Sequence, residues 1–394
     1  MSNAFPSPGG DHSMMFDPGR HQPLSETAWN EQAARDAIAC IVQGAEAGFR
    51  EGQGWPVHPL DNKKPDPMYG LYIGDCGVIW ALKYLERRKA AKLTRDWLAH
   101  LAQLQVTDEH GSYMFGETPI RLMLAGSDER LAELIVSTMR HPARELMWGA
   151  PGTMLAALFL YRRTSDARWA LLYRQTADVL WSQLEWSQQE QCHFWTQDLY
   201  GRQSTYLDAV HGFAATASVL INGRDLLGAD EWQQWSQCIV RTVRATAEVE
   251  GNMANWRAQL QSPRGATKLV QFCHGAPGFV ICLAGMPGPE LDDLLIAAGE
   301  TTWRAGPLSK GSNLCHGTGG NGYAFLKLYQ RLGDPLWLER ARAFAMHGIA
   351  QTMADRATHD QWRHGLWTGD VGFAIYLLDC IEATSAFPSL DVFD

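Results

Sequence analysis

The sequence has little charge, no excess of basic residues and no long apolar run. Charged residues occupy 20% of its 394 positions, below the roughly 25% of an average soluble chain. Its 34 Lys and Arg against 43 Asp and Glu give a formal net charge of −9, which argues against a nucleic-acid-binding protein with a basic surface. The longest apolar stretches, such as residues 154–161, are about half the roughly 20 residues that span a membrane. We expect neither a nucleic-acid partner nor a membrane span.

Cysteine is scarce, and the first residues lack the apolar core of a secretory signal. Eight cysteines spread over the whole chain do not have the density of a secreted disulfide scaffold. Residues 1–24 contain Gly, Pro, Asp and His but no apolar run, so we interpret them as a flexible N-terminal segment. We expect a cytoplasmic monomer, in which any special cysteine serves metal binding or catalysis.

Apolar and aromatic residues are abundant. They make up 46% of the chain and include 16 Trp, 11 Tyr and 14 Phe, which excludes intrinsic disorder. The length alone allows two or three domains, or one large domain built from repeats.

A glycine-containing turn followed by an apolar helical run recurs along the chain. The seven copies begin at Gly74, Gly116, Gly149, Gly212, Gly275, Gly317 and Gly369. They lie about 49 residues apart on average, which is the length of a helical hairpin with its loops. The copy at Gly116 is the most degraded. The repeat predicts seven helical hairpins, with inner helices beginning near residues 77, 119, 152, 215, 278, 320 and 372.

Two kinds of helix alternate in this pattern. The runs after the glycine turns are apolar on nearly all sides, which indicates helices buried all round. Segments between them, such as residues 27–49 and 231–249, repeat apolar residues every three or four positions and indicate outer helices with one wet face. We predict an all-α fold, an α/α toroid (barrel) of seven helical hairpins forming a single domain at 25–394. A multi-helical bundle without closure is the alternative.

Three of the turns carry cysteine or histidine directly before the glycine, at His211, at Cys273 and His274, and at Cys315 and His316. A catalytic zinc site uses three thiolate or imidazole ligands and keeps a fourth position open. Cys273, Cys315 and His316 fit that count. Neighbouring residues of a regular helix point about 100° apart, so Cys315 and His316 can reach one ion only where the backbone leaves the helix, as at a glycine turn. We predict one zinc ion per chain at these residues.

Segments around these turns resemble the signature motifs of the lanthionine synthetase C-like family. The zinc-binding turns of that family resemble FCHGAPGFV (272–280) and NLCHGTGGNGYAFLKLY (313–329). Its histidine turn is similar to AVHGFAA (209–215), and its acidic turn to ELMWGAPGTMLAALFL (145–160). The likeness runs from about residue 25 to 394. The resemblance implies an α/α toroid of seven hairpins, zinc on Cys273, Cys315 and His316, and an acid/base role for His211.

Three further residues favour the stand-alone, eukaryotic-type members over the lantibiotic cyclases. Glu145, four residues before Gly149, stands where the cyclases carry aspartate and the eukaryotic type carries glutamate. His274 replaces the aromatic residue that peptide cyclases tend to have. Lys310, in KGSNLCHG, matches a lysine that contacts glutathione in the eukaryotic type. The resemblance therefore implies glutathione as a possible thiol, although residues 352–366 contain no clear counterpart of that group's Arg-Thr-Pro-Asp segment.

The chemistry of such a site is thiol activation. A free cysteine thiol is mostly protonated at neutral pH, and coordination to zinc deprotonates it. Addition of its sulfur to the β-carbon of dehydroalanine or dehydrobutyrine then requires a proton at the α-carbon, which a histidine such as His211 is suited to give. The predicted function is zinc-dependent thioether formation between a thiol, either glutathione or a peptide cysteine, and a dehydroamino acid in a peptide or protein.

Two other functions are alternatives to this one. A non-catalytic zinc- and glutathione-binding regulatory protein would keep the same pocket but would have no need of a proton donor such as His211. Glycoside hydrolysis by paired carboxylates among Asp75, Asp198 and Asp208 has no spacing argument that brings two of them together.

Overall fold

The computed structural model describes residues 15–61, 69–104, 111–124 and 129–393. Within these ranges the chain forms fourteen α-helices. They are, in order, α1 (Glu31–Gly48), α2 (Asp75–Arg87), α3 (Trp97–Leu101), α4 (Thr118–Leu124), α5 (Glu129–Thr138), α6 (Ala150–Thr164), α7 (Ala167–Ser182), α8 (Phe213–Asn222), α9 (Ala229–Thr246), α10 (Ala276–Leu283), α11 (Asp292–Ala305), α12 (Thr318–Leu332), α13 (Pro335–His359) and α14 (Asp370–Glu382). None of these helices has the combination of length and apolar character that crossing a bilayer requires.

The even-numbered helices follow the seven glycine turns and form the inner layer. Each begins one or two residues before the position predicted from the repeat. Six of them begin at the residue directly after the first glycine of the turn, because that glycine is the N-cap. The degraded copy at Gly116 also leads into a helix, α4.

Burial separates the two layers as the hydrophobic pattern predicts. In α6, every residue from Ala150 to Leu160 is buried, and in α14 every residue from Asp370 to Cys380. Outer helix α9 instead buries one face, whose residues recur at three- and four-residue steps from Trp235 to Thr246. Inner helices surrounded by protein on all sides and outer helices with one wet face are the arrangement of a double-layered ring.

The inner ring is closed. Each inner helix contacts the next around the ring, from α2 through α14, and α14 contacts α2 again. The outer helix α1 packs against α14 at the same junction. The α/α toroid is therefore confirmed, and the alternative of an open bundle is wrong.

Short strands in the connections are the main addition to the all-α prediction. The described part of the chain contains four antiparallel pairs: β1 (Glu185–Ser187) with β2 (Cys192–Phe194), β3 (Gln197–Leu199) with β4 (Arg202–Ser204), β5 (Glu248–Glu250) with β6 (Met253–Asn255), and β7 (Val270–Gln271) with β8 (His274–Gly275). Strands of two or three residues are too short to show an alternating pattern in the sequence.

The predicted N-terminal segment 1–24 is described from Met15 onward. Met15 is buried, and its carbonyl accepts a hydrogen bond from Asn255 Nδ2 at 2.7 Å. Gln22 N donates to the carbonyl of Pro307 at 2.8 Å, and His21 Nδ1 donates to that of Gly306 at 2.9 Å. Residues 15–22 therefore contact both β6 and the loop that follows α11.

Candidate active site

Hydrogen bonds join the seven glycine turns into a closed ring. In order around the toroid, the bonds are Leu71 N to Met114 O, Ser112 Oγ to Met147 O, His211 Nδ1 to Glu145 Oε2, His274 Nδ1 to Asp208 Oδ2, Cys273 N to Cys315 O, Cys315 N to Trp367 O, and Trp367 N to Tyr72 O. The N-terminal ends of the inner helices thus meet at one rim, where their backbone amides and helix dipoles favour negative charge.

A polar residue four positions before the glycine fixes the conformation of three turns. Glu145 accepts hydrogen bonds from the backbone N–H groups of Met147 and Trp148 at 2.9 and 2.7 Å. Asp208 Oδ1 accepts from Val210 N and His211 N at 3.0 and 2.8 Å. In the turn before α12, Asn313 Oδ1 accepts from His316 N at 3.0 Å. These local bonds orient the residue directly before each glycine.

The three predicted zinc ligands come together at this rim. One ligand atom each from Cys273, Cys315 and His316 lies within 4.8 Å of the others. Donor atoms of a tetrahedral zinc site, with bonds of about 2.0–2.3 Å, stand roughly 3.3–3.8 Å apart, so a small contraction of this cluster would accommodate the ion. The bond from Cys273 N to Cys315 O, at 3.0 Å, holds the two turns side by side. The donor set and its spacing fit zinc with a fourth position left for another ligand.

The protonation of this cluster also suits a metal. Burial, reinforced by the positive charges of Arg363 and Lys310, lowers the pKa of His316 to about 4, so its ring is neutral at pH 7. Hydrogen bonds from the Cys273 thiol and from Tyr72 lower the pKa of Cys315 despite its burial. In turn, donation to Cys315, together with burial, raises the pKa of Cys273. A neutral imidazole is thus already present, and the same hydrogen bonds favour the thiolate form of Cys315 over that of Cys273.

Two residues that were not predicted from the sequence donate hydrogen bonds to the sulfur atoms of the cluster. Tyr72 OH donates to Cys315 Sγ, and Gln271 Nε2 donates to Cys273 Sγ, each at 2.9 Å. Gln271 stands four residues before Gly275, the register of Glu145 and Asp208, so the repeat contained a signal for it. No sequence signal links Tyr72 to a cysteine 243 residues away.

His211 and the buried Glu145 form a pair that joins the two inner turns before that of Cys273. His211 Nδ1 donates to Glu145 Oε2 at 2.8 Å. The Glu145 side chain is fully buried, and it both caps its own turn and binds the histidine of the next inner turn. A carboxylate on Nδ1 fixes the orientation and tautomer of an imidazole and leaves Nε2 for proton exchange.

A second pair of the same design lies one turn further round the ring. His274 Nδ1 donates to Asp208 Oδ2 at 2.6 Å, and Asp208 is fully buried. Burial disfavours the imidazolium, but the Asp208 carboxylate outweighs it and raises the pKa of His274 to about 9. His274 is therefore protonated at neutral pH. The sequence indicates Asp208 only as a candidate glycosidase carboxylate, whereas in the structure its partner is a histidine.

Lys310 is exposed on the loop before α12, and its charge acts on both His274 and His316. The stretch 352–366, which has no clear counterpart of the family's Arg-Thr-Pro-Asp segment, still supplies an arginine to the site. Arg363 Nε donates to Asp61 Oδ2 at 2.9 Å, and its charge reaches His316 and Cys315. Lys310 and Arg363 therefore place positive charge next to His316.

Comparison with known proteins agrees with this architecture. The chain is 30% identical over 196 residues to a Danio rerio protein named glutathione S-transferase LANCL1, which covers 48% of this chain and 47% of the relative. It is 34% identical over 153 residues to LanC-like protein GCL1 of Arabidopsis thaliana, which covers 36% of this chain and 34% of the relative. The matched segments thus span about half of the first relative's length and a third of the second's.

A solved structure and a family model extend the comparison to almost the whole chain. The structure of nisin cyclase shares the fold, with a TM-score of 0.58 at 15% identity over 90% of this chain and 96% of that chain. The model of the lanthionine synthetase C-like proteins matches residues 26–392. This chain belongs to the lanthionine synthetase C-like family.

Proposed function

We propose that this protein is a zinc-dependent enzyme that adds a thiol to dehydroalanine or dehydrobutyrine in a peptide or protein and so forms a thioether. One observation supports this most strongly: Cys273, Cys315 and His316 offer three ligand atoms within 4.8 Å of one another, on the rim that also holds His211. A metal-binding set for the thiol and a carboxylate-oriented histidine for the proton are the two parts that the reaction needs.

The proposed division of labour follows from the residues. Zinc bound by Cys273, Cys315 and His316 would supply a deprotonated thiol at neutral pH. The new C–S bond forms at the β-carbon while the electron pair of the double bond moves towards the α-carbon and its carbonyl group. His211 then gives a proton to the α-carbon, with Glu145 holding its Nδ1. His274, which is cationic at neutral pH, would stabilise the negative charge that develops in between.

Positive charge next to the cluster supports glutathione as one thiol. One of its carboxylates suits the exposed Lys310, whose charge acts on His316. The name of the Danio rerio relative points to the same thiol. A peptide cysteine could occupy the same position without needing this charge for its binding.

The cytoplasmic location, the monomeric state and the 25–394 domain boundary stay predictions from the sequence.

Zinc content is the first test. Protein purified without chelators should contain about one zinc per chain, because three ligands in this geometry bind the ion tightly. Elemental analysis measures the stoichiometry. Cys282→Ala is the matched control, since Cys282 is also buried but lies in the body of α10, and its zinc content should equal that of the wild type. Metal-free protein from such a preparation would contradict the proposal.

Thioether formation is the second test. The zinc-loaded protein, glutathione and a dehydroalanine peptide should yield the mass of the adduct at a rate well above that of the mixture without protein. Omitting zinc, after chelation and dialysis, should remove the enhancement. A regulatory protein would instead bind zinc and glutathione and leave the peptide unchanged.

A further inference from the structure

The residues directly before the glycines divide the rim into two halves. In chain order they are Ile73, Phe115, Trp148, His211, His274, His316 and Thr368. All but Thr368 are partly exposed, so this register position faces the mouth of the toroid. Three consecutive turns present imidazoles, and three consecutive turns present large apolar groups. The imidazole half performs the proposed chemistry, which leaves the apolar half without a role.

We propose that the apolar half of the rim recognises the peptide that contains the dehydroamino acid, through a row of aromatic rings that binds the apolar side chains flanking it. This aromatic row consists of Tyr72, Phe115, Trp148 and Tyr200. The proposal rests on the proposed function, because it assigns the electrophile of that reaction to one side of the mouth.

One end of the aromatic row touches the candidate zinc cluster. The Phe115 and Trp148 rings stack at 4.6 Å between centroids, with 23° between their planes. Tyr72 extends the row at 5.6 Å from Phe115, and its hydroxyl donates to Cys315 Sγ. A sulfur nucleophile at the cluster is therefore next to the first ring of the row.

The other end of the row reaches the proposed proton donor. Trp148 Nε1 donates to Tyr200 OH at 3.2 Å. Tyr200 is 68% exposed, and its ring centroid lies 6.0 Å from that of His211. The row thus runs from a ring that contacts Cys315 at one end to a ring that contacts His211 at the other.

The chemistry of the row selects an apolar peptide. None of its four side chains is charged, whereas Lys310 and Arg363 place positive charge beside His316. Aromatic faces bind apolar, aromatic and planar groups, and a dehydroamino acid is itself planar and conjugated. Extended peptide advances about 3.3 Å per residue, so rings about 5 Å apart contact side chains within two or three residues of the reacting one. The charged thiol glutathione suits the opposite, cationic side.

Peptide binding without reaction tests this assignment. Two fluorescently labelled peptides of equal length would contain alanine in place of dehydroalanine, flanked by Leu and Phe in one and by Ser and Asp in the other. Fluorescence anisotropy with the zinc-loaded protein should show roughly tenfold tighter binding of the apolar peptide. Trp148→Ala and Tyr200→Ala should each abolish most of that preference and leave the weak binding of the polar peptide unchanged.

A matched control separates recognition from general damage. Trp186, which is 39% exposed on β1 and contacts His193, does not belong to the aromatic row, so Trp186→Ala should keep the preference. Equal affinity of the wild type for the two peptides would overturn the proposal. So would an unchanged preference for the apolar peptide in either Trp148→Ala or Tyr200→Ala. The alanine peptides cannot react, so selective binding without any thioether formation in the activity assay would refute the enzyme and leave the peptide site standing.

Discussion

Replacing His211 with alanine should slow thioether formation by roughly a hundred- to ten-thousand-fold and leave zinc in place. The reason is that the variant lacks the group that protonates the α-carbon but keeps all three proposed ligands. Rates from mass spectrometry under single-turnover conditions, with zinc measured on the same samples, test both halves of the expectation. The reverse elimination, which removes the same α-proton, should slow to the same degree.

Two comparison variants sharpen this prediction. Cys315→Ala should lose zinc as well as activity, since two ligands remain. His193→Ala removes a partly buried histidine of β2 whose ring contacts Trp186, and it should change neither zinc content nor activity. If His211→Ala loses zinc as readily as Cys315→Ala, His211 is a ligand. Full activity in His211→Ala would assign the proton to another acid, such as His274.

Gly320→Ala should destabilise the protein by about 3 kcal/mol and weaken its hold on zinc. A Cβ at Gly320 would lie 1.8 Å from the carbonyl oxygen of Leu314, so the turn before α12 must move. Leu314 directly precedes Cys315, and the shift therefore reaches the cluster. Urea denaturation of the zinc-free protein gives the stability change, and competition with a chelator gives the zinc affinity.

Gly228→Ala is the control for this substitution. Gly228 is the N-cap of outer helix α9, and a Cβ there would meet its nearest neighbour, Glu231 Oε2, only at 4.0 Å. Gly228→Ala should lower the free energy of unfolding by no more than about 1 kcal/mol, and zinc affinity should not change. Wild-type stability in Gly320→Ala would show that the turn is free to open.

The helical ring was predictable because one signal recurs seven times. Each glycine turn marks the start of an inner helix to within two residues, and equivalent positions in neighbouring copies become neighbours in space. Cys273 and Cys315 illustrate this, since they stand at the same register in consecutive inner turns. The same logic would have found Gln271 and Asp208, which share the register of Glu145.

Other parts of the site depend on contacts that no local pattern encodes. Arg363 binds Asp61, 302 residues away in sequence, and this pairing holds its charge near His316. Tyr72 reaches Cys315 because the first and sixth inner turns lie close together on the rim once the ring has closed. Side-chain pairing across a closed toroid follows from its three-dimensional geometry, which spacing along the chain does not show.

The closed ring of turns also sets the order in which the candidate centre can be completed. The last inner turn lies between the second cysteine turn and the first turn, because Cys315 N donates to Trp367 O and Trp367 N to Tyr72 O. This last contact closes a loop of about 295 residues, and contacts so distant in sequence form late and slowly in folding. A growing chain that has already presented Cys273, Cys315 and His316 still lacks the neighbour that supports them. We therefore expect zinc to bind when the ring of turns has closed, and not as soon as the three ligand residues have been synthesised.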